Sequence, residues 1–252
     1  MQNTYVPKFT YVIPFRFSHD RIINLRRVVD WLSGFQGVEV MVVEQDKHSK
    51  ISHLSIKANH IFIKSEAPFN KSWAYNVAIR RSNSPILIFG DCDFIMDPMC
   101  MIECLKSLDN FDCVIPTDSI YRLDQMESTQ DTGNIIRLQQ DLGKPNDKQN
   151  LCDGISVFKR ESLMRIGCWN EDFFGTGFEN KFQDMKITKM LNYKQFNYRG
   201  FRLFSHGESL EGSLMKRNEQ IIDYYVKNSD VSVLQNHIST TIPKIGQLNK
   251  YQ

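Results

Sequence analysis

At Pro85-Ile-Leu-Ile-Phe89 the chain runs through an unbroken apolar stretch, then turns abruptly acidic at Gly90-Asp91-Cys92-Asp93. A short apolar run bounded by turn residues reads as a strand buried on both faces, and such strands belong to parallel sheets covered by helices. The acids then fall at its carboxyl end, the edge where open α/β sheets bind ligands. Strand side chains alternate, so Asp91 and Asp93 would point the same way. Paired carboxylates suit hard divalent ions such as Mg2+ and Mn2+. A cation held there can clamp a diphosphate and take up its charge as a bond breaks. An Asp-x-Asp pair alone is weak, because acids near turns are mostly solvated loop residues. The apolar strand before it and Asp97-Pro98 after it set this pair apart.

Around this segment strand and helix signals alternate. Phe9–Pro14, Val38–Val43, Ile61–Ile63 and Phe111–Ile115 read as strands. Asp20–Leu32, Ser72–Arg81 and Pro98–Leu108 have helical periodicity, with Trp73 on a core-facing side. Such alternation predicts a largely parallel sheet with helices on both faces. After Pro116 the pattern changes: residues 118–150 are polar and aperiodic, which predicts a mobile functional loop or lid. Order resumes with a strand over Gly154–Phe158 and a helix over Lys159–Ile166. A glycine-bearing turn over Phe173–Glu179, a helix over Asp184–Leu191 and a strand over Phe201–Gly207 follow, and the tail from Glu219 reads as helical.

Composition excludes several functions. The 252 residues are 41% hydrophobic and 24% charged, enough for a sizeable core in one large α/β domain or two small ones. Net charge is only +2, with no polybasic run, which argues against nucleic acid. The six cysteines follow no Cys-x-x-Cys spacing and read as buried thiols in a reducing cytosol. No signal peptide or membrane-spanning run is visible, so work at a membrane would go through a partner or a surface patch.

Three more element ends carry reactive side chains. Pro14 and Phe15, after the first strand, can flank a flat nucleobase, and Arg16 can reach phosphate. Phe69-Asn70-Lys71 opens the helix before the acidic strand, where an amide and an ammonium suit an anionic ligand. His206 ends a late strand and can offer a cation a nitrogen ligand.

In this order the segments resemble the GT-A glycosyltransferases, most closely the β-1,4-galactosyltransferase family and its bacterial chondroitin-polymerase-like relatives. Ile13-Pro-Phe-Arg16 is similar to that family's first donor-binding segment, and Glu44-Gln45 to its Glu/Asn-Gln. Phe69-Asn-Lys-Ser72 with Asn76 resembles its Phe-Asn-Arg-Ala…Asn, and Asp91-Cys-Asp93 its Asp-Val-Asp metal motif. The run from Cys152-Asp-Gly154 through Trp169 to Gly177-Phe-Glu-Asn180 resembles its acceptor-side block. The resemblance covers roughly residues 10–210.

It implies an α/β chain with a single GT-A, Rossmann-like domain, its mostly parallel central sheet flanked by helices. Residues 1–115 would be the nucleotide-sugar-binding half, 116–150 a flexible loop or lid, and 151–252 the acceptor-binding half with a helical tail. The implied activity is metal-dependent transfer of a hexose or N-acetylhexosamine from a UDP-sugar to a glycan hydroxyl. Its setting would be bacterial surface polysaccharide synthesis, in the cytoplasm at the inner face of the membrane. Pro14, Phe15, Arg16, Glu44, Phe69, Asn70, Lys71, Asn76, Asp91 and Cys92 would meet the nucleotide sugar. Asp93, with Asp91 and His206, would hold Mn2+ or Mg2+. Gly154, Trp169, Gly177 and Phe178 would meet the acceptor, a glycan or lipid-linked saccharide.

The chain also departs from the family. The tryptophan of the glycine motif is Thr176 here, its second glycine is Phe178, and the acid after Glu179 is Asn180. Either Glu179 or Asp184 can then be the general base of a direct, inverting displacement. Polypeptide N-acetylgalactosaminyltransferases carry Gly-Glu-Asn at this place and retain configuration, so a retaining enzyme is the nearest alternative. A nucleotidyltransferase would need a glycine-rich loop where Pro14-Phe-Arg-Phe17 stands. A catalytically inactive sugar-binding module is supported by the lost tryptophan and paired acid.

Overall fold

The computed structural model describes residues 9–137, 146–147, 150–175, 177–206, 212–228 and 230–251. The elements in chain order are β1 (Phe9–Phe15), α1 (His19–Leu32), β2 (Val38–Asp46), β3 (Asn59–Lys64), α2 (Lys71–Arg81), β4 (Ile86–Gly90) and β5 (Phe94–Met96). There follow α3 (Pro98–Ser107), β6 (Cys113–Arg122), α4 (Thr132–Arg137), β7 (Asn146–Asp147), β8 (Ile155–Lys159) and α5 (Arg160–Arg165). The last are α6 (Glu179–Met190), β9 (Tyr193–Arg202), α7 (Gly212–Lys227) and α8 (Val231–Thr241). Side-chain caps start several helices: Ser18 accepts from Arg21 N at α1, Asn70 from Trp73 N at α2, and Asp97 from Met99 N at α3.

The strands form one sheet in the order β3-β2-β1-β4-β8-β6-β9-β5, with β7 pairing β6. The first four are parallel, as the alternation predicts, but the sheet as a whole is mixed. β8 lies antiparallel between β4 and β6, and β5 lies antiparallel to β9. Because β8 opposes β4, Ile155 faces Gly90 and the Asp91 N–H donates to Gly154 O at 3.2 Å. The chain therefore enters β8 from the edge where β4 leaves, and residues 150–154 join the ligand side. β6 and β9 run parallel and end together, with Arg122 opposite Arg202.

Two apolar layers flank the sheet, and β1 shows why. Phe9, Tyr11, Ile13 and Phe15 pack on the face covered by α1 and α3, while Val12 joins the layer under α2, α5 and α6. A third, smaller cluster of Phe173, Phe182, Ile222 and Leu234 holds α7 and α8 against α6.

Several boundaries differ from the sequence reading. The strand predicted at Phe111–Ile115 starts at Cys113 and continues to Arg122, so the segment read as a lid begins inside the sheet. A 3-10 turn at Glu127–Thr129, α4 and β7 occupy more of it, and 138–145 and 148–149 lie outside the described residues. β9 begins at Tyr193 rather than Phe201, because its early residues are half exposed and polar. β5 is too short for any periodicity to reveal. α6 starts five residues before Asp184, at Glu179.

Phe94 of β5 is fully buried between two glycines, Gly154 and Gly200. A Cβ at either position would fall inside its ring, and Gly154 is also in the left-handed region at φ 83°. Gly200→Ala should therefore destabilise the fold by about 1–3 kcal/mol through overpacking. Gly154→Ala should cost at least as much, and urea denaturation reads both.

Candidate active site

The carboxyl edge of β1 and β4, the entry to β8 and the ends of β6 and β9 surround a cleft of about 420 Å³. Its lining contains Pro14, Arg16, Phe69, Lys71, Asp91, Cys92, Asp93, Gly177, Phe178 and Glu179, ten of the residues singled out from sequence. It also contains Arg21, Ile120, Arg122, Asn150, Asp153, Asn180 and Arg202, to which the sequence reading gave no role in binding.

Asp91 is the centre of the charge network. Its Oδ1 lies 2.7 Å from Lys71 Nζ, at the first turn of α2, and its Oδ2 lies 2.8 Å from Arg202 Nη2, at the end of β9. Burial would raise the Asp91 pKa, but Lys71 and Arg202 overcome it and hold the carboxyl below its usual range. In return Asp91 keeps the buried Lys71 ammonium charged against its own desolvation, and Asp93 with Asp91 does the same for Arg202.

Asp93 behaves oppositely. Burial raises its pKa, Arg202 pulls it down, and the neighbouring Asp91 charge pushes it back up. Its carboxylate accepts no hydrogen bond among the described residues. A free, desolvated carboxylate beside a second one fits a hard divalent cation. No group of three or more His, Cys, Asp or Glu side chains among the described residues could hold a metal by itself. The cleft thus suits a cation bound by one or two carboxylates together with ligand phosphates, the usual arrangement for Mg2+.

The opposite wall is the turn into α6. Gly175, Gly177 and Phe178 all have positive φ, 76°, 112° and 69°, and Thr176 lies outside the described residues. A bulky side chain in this region is strained, and such strain clusters at functional sites. The turn buries Glu179, whose Oε2 accepts from Gly177 N at 2.9 Å. Burial raises the Glu179 pKa, and Lys71 partly offsets the rise. Beside it, Asn180 Nδ2 donates to Asp153 Oδ1 at 2.7 Å, while Asn180 Oδ1 is buried with no partner among the described residues.

Several sequence candidates turn out to brace the site. Asn70 caps α2, and its Nδ2 donates to Glu171 O at 2.7 Å. Asn76 exchanges hydrogen bonds with the Trp169 backbone and donates to Glu171 Oε1 at 2.8 Å. Glu44 is fully buried and organises the segment after β2, accepting from Ser49 Oγ, Lys50 N and His60 Nε2. Phe15 is fully buried in the core. Gly154 accommodates Phe94 instead of facing the cleft. Trp169 is 1% exposed and packs on Tyr75 and Phe89, which leaves no face for a sugar.

Two of the candidates lie outside the cleft lining. Asp184 does not line the cleft: its oxygens accept from Leu151 N at 2.7 Å and Cys152 N at 3.1 Å, pinning the entry to β8. Burial pushes its carboxyl up to about 6, but the group is already engaged by backbone. His206 is not in the lining either. Its side chain is 77% exposed, and Nδ1 lies 2.5 Å from Asp20 Oδ2 at the start of α1. Asp20 thus holds this imidazole away from Asp91 and Asp93.

The residues missed in sequence came from register. Arg122 and Arg202 pair across β6 and β9, and Asp153 precedes a strand whose direction the sequence did not give. Asp153 stood inside the quoted Cys152-Asp-Gly154 run without a role.

Comparison with known proteins agrees with this geometry. The family model described as Glycosyl transferase family 2 matches residues 26–167, more than half of the chain. No curated protein matches the sequence. Among solved structures, the catalytic domain of Drosophila β1,4-galactosyltransferase 7 in complex with xylobiose superposes with a TM-score of 0.56 at 13% identity, over 85% of this chain and 80% of that one. Glucosyl-3-phosphoglycerate synthase from Mycobacterium tuberculosis, in complex with Mn2+, UDP and glucosyl-3-phosphoglycerate, gives 0.53 at 14% identity, over 86% and 77%. The mannosyltransferase of Pyrobaculum calidifontis with GDP-Man and Mn2+ gives 0.53 at 18%, over 80% and 58%. At these identities the likeness establishes the fold, a GT-A architecture.

Two outcomes follow for the charge network and its braces. Asp91, with a depressed folded pKa, stabilises above its unfolded pKa of about 4 and loses that contribution as pH falls through the folded value. The stability gap between wild type and Lys71→Met should therefore be widest above about pH 4 and shrink in more acid solution, as followed by urea titration. Asp184→Ala should cost about 1–3 kcal/mol by orphaning two backbone donors, while the folded enzyme keeps its turnover within about tenfold.

Proposed function

The chain belongs to glycosyl transferase family 2, and we propose that it moves a hexose or N-acetylhexosamine from a UDP-sugar to a glycan hydroxyl, with inversion, aided by a divalent cation. The observation that carries this reading is the convergence on one cleft of Asp91 and Asp93, the cations Arg16, Arg21, Lys71, Arg122 and Arg202, and the buried acid Glu179. Solved structures of the same fold were obtained with Mn2+ and a nucleotide or nucleotide sugar, which supports the donor class.

Each wall then has a task. Pro14 and Phe69 frame the side of the cleft nearest β1, where a base can be held flat. Arg16 is fixed there, its Nε donating to Gln45 O at 3.0 Å and its Nη2 to Ala67 O at 2.7 Å. Lys71 and Arg202 meet the diphosphate at the strand ends and stabilise the charge that develops on departing UDP. A divalent cation bound at Asp93 and Asp91 would supply further charge neutralisation on the same oxygens.

Glu179 is the base. It lines the cleft, and Gly177 N fixes its Oε2. Its raised pKa increases its basicity at the point where a proton must be taken. Direct attack from that wall inverts the anomeric centre. Asp153, tied to Asn180 and Asn150, is placed to receive acceptor hydroxyls.

Release of UDP from UDP-Glc, UDP-Gal, UDP-GlcNAc and UDP-GalNAc in Mn2+ tests the reading. Asp93→Ala should abolish turnover, and wild-type release should stop in EDTA. Glu179→Gln should lower acceptor transfer by about 10^2–10^4-fold while sparing UDP binding. It should also remove the rise in rate that accompanies deprotonation of Glu179 as pH increases. Full activity in EDTA, or a product of retained configuration, would overturn the cation or the inverting base respectively.

A further inference from the structure

A second concavity lies outside the cleft. It is an open groove of about 350 Å³ between the segment before α6 and the outer face of α7. Asp172, Arg217, Gln220, Ile221, Tyr224 and Tyr225 line it. The five α7 residues fall at helical spacings i, i+3, i+4, i+7 and i+8, so one stripe of the helix forms the wall. We infer that this groove is a saccharide subsite that holds the distal sugars of an oligosaccharide acceptor.

Three observations carry the assignment. First, the chemistry suits a pyranose. Tyr224 is 56% exposed and offers an aromatic face to the apolar side of a sugar ring. A carboxylate, a guanidinium and an amide stand beside it, and such planar groups can bond neighbouring hydroxyls in pairs. The Asp172 carboxylate and the Gln220 amide make no side-chain hydrogen bond among the described residues, so their bonding capacity is uncommitted.

Second, the wall is preorganised. Tyr225 is locked by its hydroxyl at 2.7 Å from His237 Nδ1 and by its ring, 4.5 Å from Phe182. Tyr224 packs edge-on against it, with centroids 5.2 Å apart at 82°. Arg217 is fixed by a 2.6 Å hydrogen bond to Asp172 O and by the Phe174 ring, 5.4 Å away. Preorganised groups lose less freedom when a ligand binds.

Third, the groove and the reaction cleft draw on residues of one short stretch of chain. Asp172 lines the groove, while Gly177, Phe178 and Glu179 line the cleft. The fully buried Asn218 of α7 holds the peptide between them, donating to Phe174 O at 2.7 Å and accepting from Phe174 N at 3.4 Å. In the inferred mode an acceptor whose reacting hydroxyl lies beside Glu179 places its distal sugars against Tyr224. Another surface concavity, of about 130 Å³ near Asn24 and Arg27, has several of its polar groups engaged by neighbouring backbone. There Arg27 donates to Thr129 O and Gln130 O, Asn24 to Phe204 O, and Ser128 Oγ accepts from Phe204 N.

The inference rests on the glycosyltransferase reading, and the test separates the two. Saturation-transfer NMR with xylobiose, cellotetraose, maltotetraose and chitotetraose is run on wild type, Tyr224→Ala and Gln220→Ala. Both changed side chains are exposed, so melting temperatures should match. At least one tetrasaccharide should bind wild type, and loss of the aromatic face should weaken it about tenfold. UDP release without acceptor should be unchanged in both variants. Absence of binding by every probe, or undiminished binding to Tyr224→Ala, overturns the subsite. UDP titrated with Mn2+ into the same samples reads the cleft alone: UDP bound without saccharide sinks only the groove. Saccharide bound at Tyr224 without UDP keeps the groove and sinks the donor assignment.

Discussion

The ion triad Lys71–Asp91–Arg202 ties together the parts of the molecule on which everything else depends. Lys71 begins α2, Asp91 ends β4 and Arg202 ends β9. All three side chains are at least three-quarters withdrawn from water. Isolated, each would pay heavily for desolvation; together they neutralise one another, and loss of one partner leaves a buried charge uncompensated. The triad therefore fixes where the helix, the acidic strand end and the far strand meet. In the proposed reaction Lys71 and Arg202, which hold these contacts, are also the groups that would meet the donor diphosphate.

The second constraint is the buried framework behind the triad. Glu171 is 3% exposed and collects Asn76 Nδ2, Gly246 N and Lys250 Nζ on its carboxylate, and Asn70 Nδ2 and Tyr251 Oη on its carbonyl. The residues after α8 thus lock onto the N-terminal end of α2 and the segment leading into the turn before Glu179. Trp73 Nε1 adds a 2.8 Å bond to Gln247 O. Rigid support of this kind is what a site needs to hold catalytic groups within fractions of an ångström. It also explains why Asn70 and Asn76, which a motif reading assigns to ligand, are spent on scaffold.

The two acids near α6 illustrate how environment divides roles. Glu179 and Asp184 both sit on α6, and burial raises both carboxyls. The strained turn over Gly177 and Phe178 directs Glu179 into the cleft, whereas Asp184, five residues on, faces the backbone of 151–152. Five residues is 1.4 helical turns, so the two side chains leave the helix about 140° apart. One can face substrate only if the other does not.

Much of this was legible in the sequence, because it is local. The apolar run into Asp91-Cys-Asp93, the N-cap at Asn70, Lys71 in the first helical turn and the alternation of β1 to β4 with helices follow from hydrophobic period and capping chemistry within a few residues. Those signals fixed an α/β sheet and placed the acidic pair at its carboxyl edge. What they could not contain is long-range register. Arg202 reaches Asp91 across 111 positions of chain, Arg122 joins it through the pairing of β6 with β9, and Asp153 arrives because β8 runs antiparallel to β4. Strand direction and neighbour choice depend on which faces the whole chain can bury at once, so only the tertiary structure decided them. The same limit moved Trp169 into the core, Asp184 onto backbone and His206 to Asp20. Residue type and spacing say what a side chain is able to do; the packed fold decides what it meets.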